Sequence, residues 1–236
     1  MSAATTQPEN EMIEAMFKAG AHFGYSRARR HASVRQYLYG AKNGVDIIDL
    51  TATLKMLEAA QARMEELGKL GKNVLFVGTK MEIREIVEES AKSLNMPYVT
   101  ERWVGGMLTN WPEIKKRTAR LKELTEKFAK GELDKYTKKE RLMFEREMAT
   151  LEREFGGISS LEGAPGAIVI IDPREEHIAA TEAKKMKVET IGILNSDCDA
   201  TNVTLPILAN DSALLSVRFF LAKLSEAYAK GVKMRA

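Results

Sequence analysis

Several things are scarce in this chain, and each shortage closes a class of reading. One cysteine, Cys198, in 236 residues leaves no partner for an internal disulfide and reads as an ordinary buried thiol. The histidines His22, His31 and His177 are scattered. No Cys or His pair therefore stands at the spacing of a zinc site, and neither metal nor other cofactor is expected. No apolar run approaches the roughly 18 residues that cross a bilayer, and the opening MSAATTQPENEM lacks the basic and apolar regions of a signal peptide. These gaps predict a cytoplasmic protein with no membrane contact. Phosphate-loop patterns are missing too: Gly78 stands alone between a hydrophobic run and Lys80, without G-x-G-x-x-G.

The most informative shortage is local. Between Ala15 and Val45 there is no Asp or Glu, while Lys18, Arg27, Arg29, Arg30, Arg35 and Lys42 stand in the stretch. The net charge of the whole chain is only +3, too small to signal nucleic acid, but this stretch alone carries +6 and leaves the remainder at −3. Phe17, Phe23, Tyr25, Tyr37 and Tyr39 interleave with the cations. Such rings stack on unpaired bases or pack a segment onto a sheet, and arginine forks grip phosphate oxygens. A run of like charge is often only a solvated face, so composition alone leaves RNA binding and a bland basic surface equally open.

With 44% hydrophobic residues the chain can bury a sizeable core. Met12, Ile13, Met16 and Phe17 predict a short helix over 12–19 that Gly20 ends. Short strands over 37–39 and 45–50 flank Lys42-Asn43-Gly44, whose Asn-Gly pair signals a tight hairpin turn. From Leu50 the pattern alternates: helix 51–67, strand 74–77, helix 81–94, strand 98–100, then strand 167–171, helix 175–186, strand 190–194 and helix 211–228. This alternation predicts parallel pairing in a three-layer α/β/α sandwich formed by residues 1–111 and 156–236.

The interruption, residues 112–155, holds 13 Lys and Arg against 10 Asp and Glu, with sparse but periodic apolar residues. Ile114, Leu121, Leu124 and Phe128 make one narrow stripe; Phe144, Met148, Leu151 and Phe155 make another. Gly131 separates them, and Thr137 with Glu140 has capping-box spacing. The expectation is an antiparallel helical hairpin, a coiled coil projecting from the sandwich, whose mixed charges suit an exposed surface or a protein-docking arm.

Three motifs invite sharper readings. The run from Val74 to Lys80 is a buried strand ending in glycine at a helix start, where a nucleotide phosphate would sit. Asp172-Pro-Arg-Glu-Glu-His177 puts acid, base and histidine together, but capping by Asp172, Pro173 at the first turn and acids complementing the dipole account for most of it. Arg102-Trp-Val-Gly-Gly-Met-Leu-Thr-Asn110 suits a tight backbone path, with Trp103 more often core than stacking platform.

Ala19-Gly-Ala-His-Phe-Gly24, Asn43-Gly-Val-Asp-Ile-Ile-Asp-Leu50, Leu75-Phe-Val-Gly-Thr-Lys80 and the Arg102–Asn110 motif, in this order, resemble the ribosomal protein S2 family. Phe155-Gly-Gly-Ile158, Ile171-Asp-Pro-Arg-Glu-Glu-His177 and Asn210-Asp-Ser-Ala213 continue the resemblance across nearly the whole chain. It departs from the family pattern at His31-Ala-Ser-Val34 and at Asn195-Ser-Asp-Cys-Asp-Ala200. The resemblance implies a flavodoxin-like, non-catalytic domain of the bacterial type with an inserted helical hairpin, seated on small-subunit rRNA near the head–body junction. It also implies other small-subunit proteins as partners, including the large mRNA-binding one, and no homo-oligomer. On this reading Arg27, Arg29, Arg30, Arg35 and Lys42 neutralise phosphates, while Tyr25 and His31 stack or hydrogen-bond. Lys80, Arg102 and Trp103 are second-rank contacts. A nucleotide-binding enzyme using the strand ends near Gly78 and Asp172 is the competing expectation.

Overall fold

A computed structural model describes residues 7–235. The hydrophobic runs become a five-stranded, wholly parallel sheet of β4 (Val74–Val77), β5 (Tyr98–Val99), β6 (Ala167–Ile171), β7 (Glu189–Leu194) and β8 (Leu205–Leu208), in the order β5-β4-β6-β7-β8. Upstream, β1 (Phe23–Ser26), β2 (Leu38–Lys42) and β3 (Val45–Ile48) form a separate antiparallel sheet in the order β1-β3-β2. Two strands were absent from the sequence expectation. One is β1, short and glycine-bearing; the other is β8, whose Pro206 is tolerated because β8 is an edge strand.

Side chains alternate across the parallel sheet and split the core in two. Val74, Phe76, Val169, Ile171, Ile191 and Ile193 face α1 (Gln7–Lys18), α2 (Leu50–Leu70), α3 (Arg84–Ser93) and α7 (Leu214–Arg235). Leu75, Val77, Ile168 and Ile170 face α6 (His177–Met186) and residues of α4 (Trp111–Ala129) and α5 (Lys138–Phe155). Helices thus cover both faces of the sheet. The longest helix pair, α2 and α7, crosses at two glycines: a Cβ on Gly231 would lie 2.0 Å from the Glu65 carbonyl oxygen, and one on Gly68 2.3 Å from that of Tyr228.

Chain ends of the elements follow local chemistry. Gly20, at φ +74°, stops α1, and the Ala21 N–H bonds back to the Met16 carbonyl. Asn43 and Gly44 both take positive φ and close the β2–β3 hairpin in two residues. The strand expected to reach Leu50 ends at Ile48, because Asp49 turns to cap α2 by accepting the Thr51 N–H at 2.9 Å. Thr137 and Glu140 make the full capping box at the start of α5. Arg120 joins α4 to α5 through Glu147, and Leu121, Leu124, Leu151 and Phe155 are buried in one cluster.

Candidate nucleic-acid interface

The basic segment is laid across the carboxyl ends of β7 and β8. Val34 and Ile48 are its apolar anchors, packed with Leu194, Cys198, Val203 and Leu208. Backbone bonds complete the seam: the His31 N–H donates to the Ser196 carbonyl at 2.8 Å, the Tyr25 N–H to Ser196 Oγ at 2.8 Å, and the Asn210 N–H to the Ala21 carbonyl at 3.0 Å. Gly24 stands where the segment presses closest: a Cβ there would crowd the Asp46 Cβ, the Asp46 carbonyl oxygen and Ser196 Oγ, each at 3.0 Å.

With the segment fixed, its cations divide. Arg27, Arg29, Arg35 and Lys42 are exposed, and among the described residues no carboxylate pairs with them. Arg29 lies over the Tyr25 ring, 5.8 Å from its centroid, and the Tyr25 hydroxyl is 2.8 Å from Ser212 Oγ. Lys18 leans on Glu14 one helical turn away, with both side chains largely exposed. Arg30 departs from the expectation of a free phosphate contact. Its guanidinium forms a fork on Asp46, with Nε 2.8 Å from Oδ2 and NH2 on Oδ1, and the Asp46 side chain is fully buried. The hydrogen bond to Asp46 raises the Arg30 pKa above its ordinary value. The acid-free stretch ends at Val45, one residue short of the carboxylate that pairs with Arg30.

His31 caps the turn that follows, accepting the Ser33 N–H on Nδ1, and stands 3.7 Å from Asp199. The ring is therefore held against the β7–β8 loop, inside the stretch that departs from the family pattern.

Lys80 also points inward. Its ammonium sits 2.5 Å from Asp172 and 3.0 Å from Asp211, carboxylates at the ends of β6 and β8. Desolvation opposes the charge, but Asp211 and Asp172 outweigh it and hold the Lys80 pKa above its ordinary value. Burial raises the Asp211 pKa, whereas the Lys80 ammonium overcomes burial at Asp172 and lowers it. Asn195 Nδ2 donates to Asp211 at 3.0 Å, and Asn195 Oδ1 accepts the Ser196 N–H at 2.7 Å, so this cluster supports the loop that holds Tyr25 and His31. Cys198 lies against Asp172, its thiol pushed well up by burial, as the reading of an ordinary buried thiol requires.

Trp103 is core: it is buried, and its indole N–H donates to Glu182 at 3.3 Å. Arg102 beside it is exposed and unpaired among the described residues, but it follows β5, on the far side of the sheet. Four strand spacings of about 4.8 Å put it on the order of 15–20 Å from the β8 end. The structure thus gathers Tyr25, Arg27, Arg29, Arg30, His31, Arg35 and Lys42 in one segment, turns Lys80 and Trp103 inward, and leaves Arg102 apart. Sequence reasoning passed over Asp46, Glu182 and Asp211. Phe17 and Phe23 are exposed and enclose the His22 ring at 4.2 and 4.0 Å between centroids.

None of the described helices is long and apolar enough to cross a membrane. The family model for ribosomal protein S2 matches residues 16–231. The small ribosomal subunit protein uS2 of Picosynechococcus sp. is 41% identical over 216 residues, covering 92% of this chain and 84% of that protein. The uS2 protein of Geotalea uraniireducens is 36% identical over 226 residues, 96% of this chain and 88% of its own length. That of Synechocystis sp. is 40% identical over 216 residues, with 92% and 80% covered. On this match, and on the order of motifs shared along its length, the chain belongs to the ribosomal protein S2 family, whose members are structural and non-enzymatic.

Proposed function

We propose that this chain is a structural constituent of the bacterial small ribosomal subunit in the cytoplasm, binding small-subunit rRNA near the head–body junction through the 15–45 segment. One observation carries the reading: Arg27, Arg29, Arg35 and Lys42 are exposed, with no carboxylate partner among the described residues, on a segment anchored to the sandwich through Val34 and its backbone. Held cations spend little ordering entropy on binding, which favours phosphate neutralisation by a preformed surface. Tyr25 under Arg29 and the exposed Tyr39 offer rings for unpaired bases. Arg102 is a separate, weaker contact.

Counting six cations would give a log-log salt slope of about −4 to −5; the four free ones reduce it to about −3 to −3.5, at roughly −0.7 to −0.9 per contact. The test is RNA affinity against salt, with co-sedimentation on small subunits at moderate salt. Replacing Arg27 and Arg29 together flattens the slope by about 1.5; an unchanged slope refutes the assignment.

We further propose that residues 112–155 form an inserted antiparallel coiled-coil hairpin, a second unit beside the sandwich of 1–111 and 156–236. It would serve as a docking arm for other small-subunit proteins, among them the large mRNA-binding one. The exposed Leu142 and Met143 on α5 favour a protein partner over RNA there. Deleting the hairpin should cost that partner's co-sedimentation while RNA affinity stays. Loss of RNA affinity instead would refute the division of roles.

A further inference from the structure

The Arg102–Asn110 loop, which leads into α4, is built around one carboxylate. Glu182, on α6 and 8% exposed, accepts the Gly106 N–H at 2.7 Å and the Trp103 indole N–H at 3.3 Å on one oxygen. On the other oxygen it accepts the Leu108 N–H at 3.0 Å, the Thr109 N–H at 3.1 Å and the Thr109 hydroxyl at 3.1 Å. The Gly106, Leu108 and Thr109 N–H groups, converging on the two oxygens of one carboxylate, form an anion nest. Gly106 takes φ +96° to aim its N–H there, a conformation that L side chains rarely adopt. Desolvation alone would raise the Glu182 pKa, yet the Gly106, Thr109 and Leu108 N–H groups outweigh it, and the pKa lies below its ordinary value.

We propose that this loop is an anion-binding nest occupied in cis by Glu182, and that this carboxylate is the positioning residue setting the direction in which α4 leaves the sheet. α4 begins at Trp111, two residues after the last donor to Glu182. The loop between β5 and α4 is also held by the burial of Trp103, Met107 and Leu108. Its own turns add the Met107 N–H on the Val104 carbonyl at 3.2 Å and the Asn110 N–H on the Gly106 carbonyl at 2.8 Å, and the Trp111 indole N–H donates to the Glu162 carbonyl at 3.3 Å. Glu182 is the group that ties the loop backbone to α6. Apolar contacts are non-directional, whereas five hydrogen bonds to two oxygens fix orientation. The consequence for the arm rests on the hairpin reading above; the nest itself does not.

The test compares full-length Glu182→Ala and Glu182→Gln by amide exchange at Gly106, Leu108 and Thr109. Spin-label distances from Lys130→Cys, beyond α4, to Ala59→Cys, on α2, report the arm's direction. The buried Cys198 does not compete for label. In Glu182→Ala the three amides should exchange at least about tenfold faster, and the distance distribution should broaden. Acetate should restore both, while acetamide at equal concentration should not. If Glu182→Ala does not fold, Glu182→Gln carries the same readouts, its amide NH2 facing donors. Unchanged exchange in Glu182→Gln, equal rescue by acetamide, or an unchanged distance distribution with the nest open would each overturn the proposal. A second label pair, Ala119→Cys on α4 with Ala149→Cys on α5, reports the hairpin alone. A distance already spread in the parent protein there sinks the hairpin reading and leaves the exchange result standing.

Discussion

Two neighbouring arginines, Arg29 and Arg30, should fail in opposite ways. Arg29 is exposed, lies over the Tyr25 ring and has no carboxylate partner among the described residues, so Arg29→Met should shift stability by less than about 0.5 kcal/mol and flatten the salt slope of RNA affinity by about 0.7 to 0.9. Arg30→Met strands the Asp46 carboxylate, whose side chain is 0% exposed, with no other hydrogen-bonding side chain on it among the described residues. Breaking a fully buried pair costs about 3–5 kcal/mol; because 19% of the Arg30 side chain meets solvent, about 2–4 kcal/mol is expected. At about 2–4 °C per kcal/mol for a domain of this size, the melting temperature should fall by about 5–15 °C. Urea unfolding and a salt titration of RNA binding, on the same preparations, read both quantities. Arg30→Met combined with Asp46→Leu should recover most of the stability, because two apolar groups need no pairing. The reasoning fails if Arg30→Met melts like the parent protein and flattens the salt slope as much as Arg29→Met does.

Glu182 predicts a pH dependence of definite sign. Its folded pKa is depressed, so its contribution is complete above the unfolded value of about 4.3 and lost as pH falls through the folded value. The urea-midpoint gap between the parent and Glu182→Gln should therefore be widest above about pH 5 and shrink towards pH 3; a gap that widens on acidification contradicts this. Cys198, buried with its pKa pushed up, should resist a thiol-reactive disulfide such as DTNB until the chain unfolds, and rapid native labelling would show the site open. Gly231→Ala should destabilise by about 1–3 kcal/mol, since its Cβ would lie 2.0 Å from the Glu65 carbonyl oxygen. Equal denaturant midpoints would mean that α2 and α7 separate more easily than their packing implies.

How much of this was legible beforehand follows from the range over which each signal acts. β4, β6 and β7 are apolar on both faces, so their runs stand out in the sequence, and the Asn43-Gly44 turn and the Thr137–Glu140 box are local chemistry. β8 is four residues with a proline, and β1 is Phe-Gly-Tyr-Ser, too short and mixed for periodicity to register. The site divides likewise. That Ala15–Val45 is basic could be counted, but which cations are free could not. Lys80 finds Asp211 across 131 positions and Trp103 finds Glu182 across 79, separations at which sequence carries no pairing signal. Glu182 looked like any acid in an amphipathic helix, and only the convergence of backbone N–H groups sets it apart.

The same geometry bears on the competing nucleotide-enzyme reading. Doubly wound sheets bind ligands where the strand order reverses, here at the carboxyl ends of β4 and β6. A phosphate entering there would need the backbone N–H after Gly78 and the Lys80 cation. Thr79 already donates that N–H, at 2.8 Å, and its hydroxyl, at 2.6 Å, to Glu176, which is 4% exposed. Lys80 is held between Asp172 and Asp211. The other anion-ready element, the 103–109 loop, is closed by Glu182. Glu176 is the N-cap of α6 and Glu182 lies within it, so one helix fills both positions with the chain's own carboxylates. Displacing either would strand a buried acid, a cost that a phosphate in water does not offset. Labelled nucleotides should therefore remain unbound in equilibrium dialysis. Arg27, Arg29, Arg35 and Lys42, by contrast, lie on the appended β1–β3 segment, outside the crevice that the fold would otherwise offer, and among the described residues no carboxylate pairs with them.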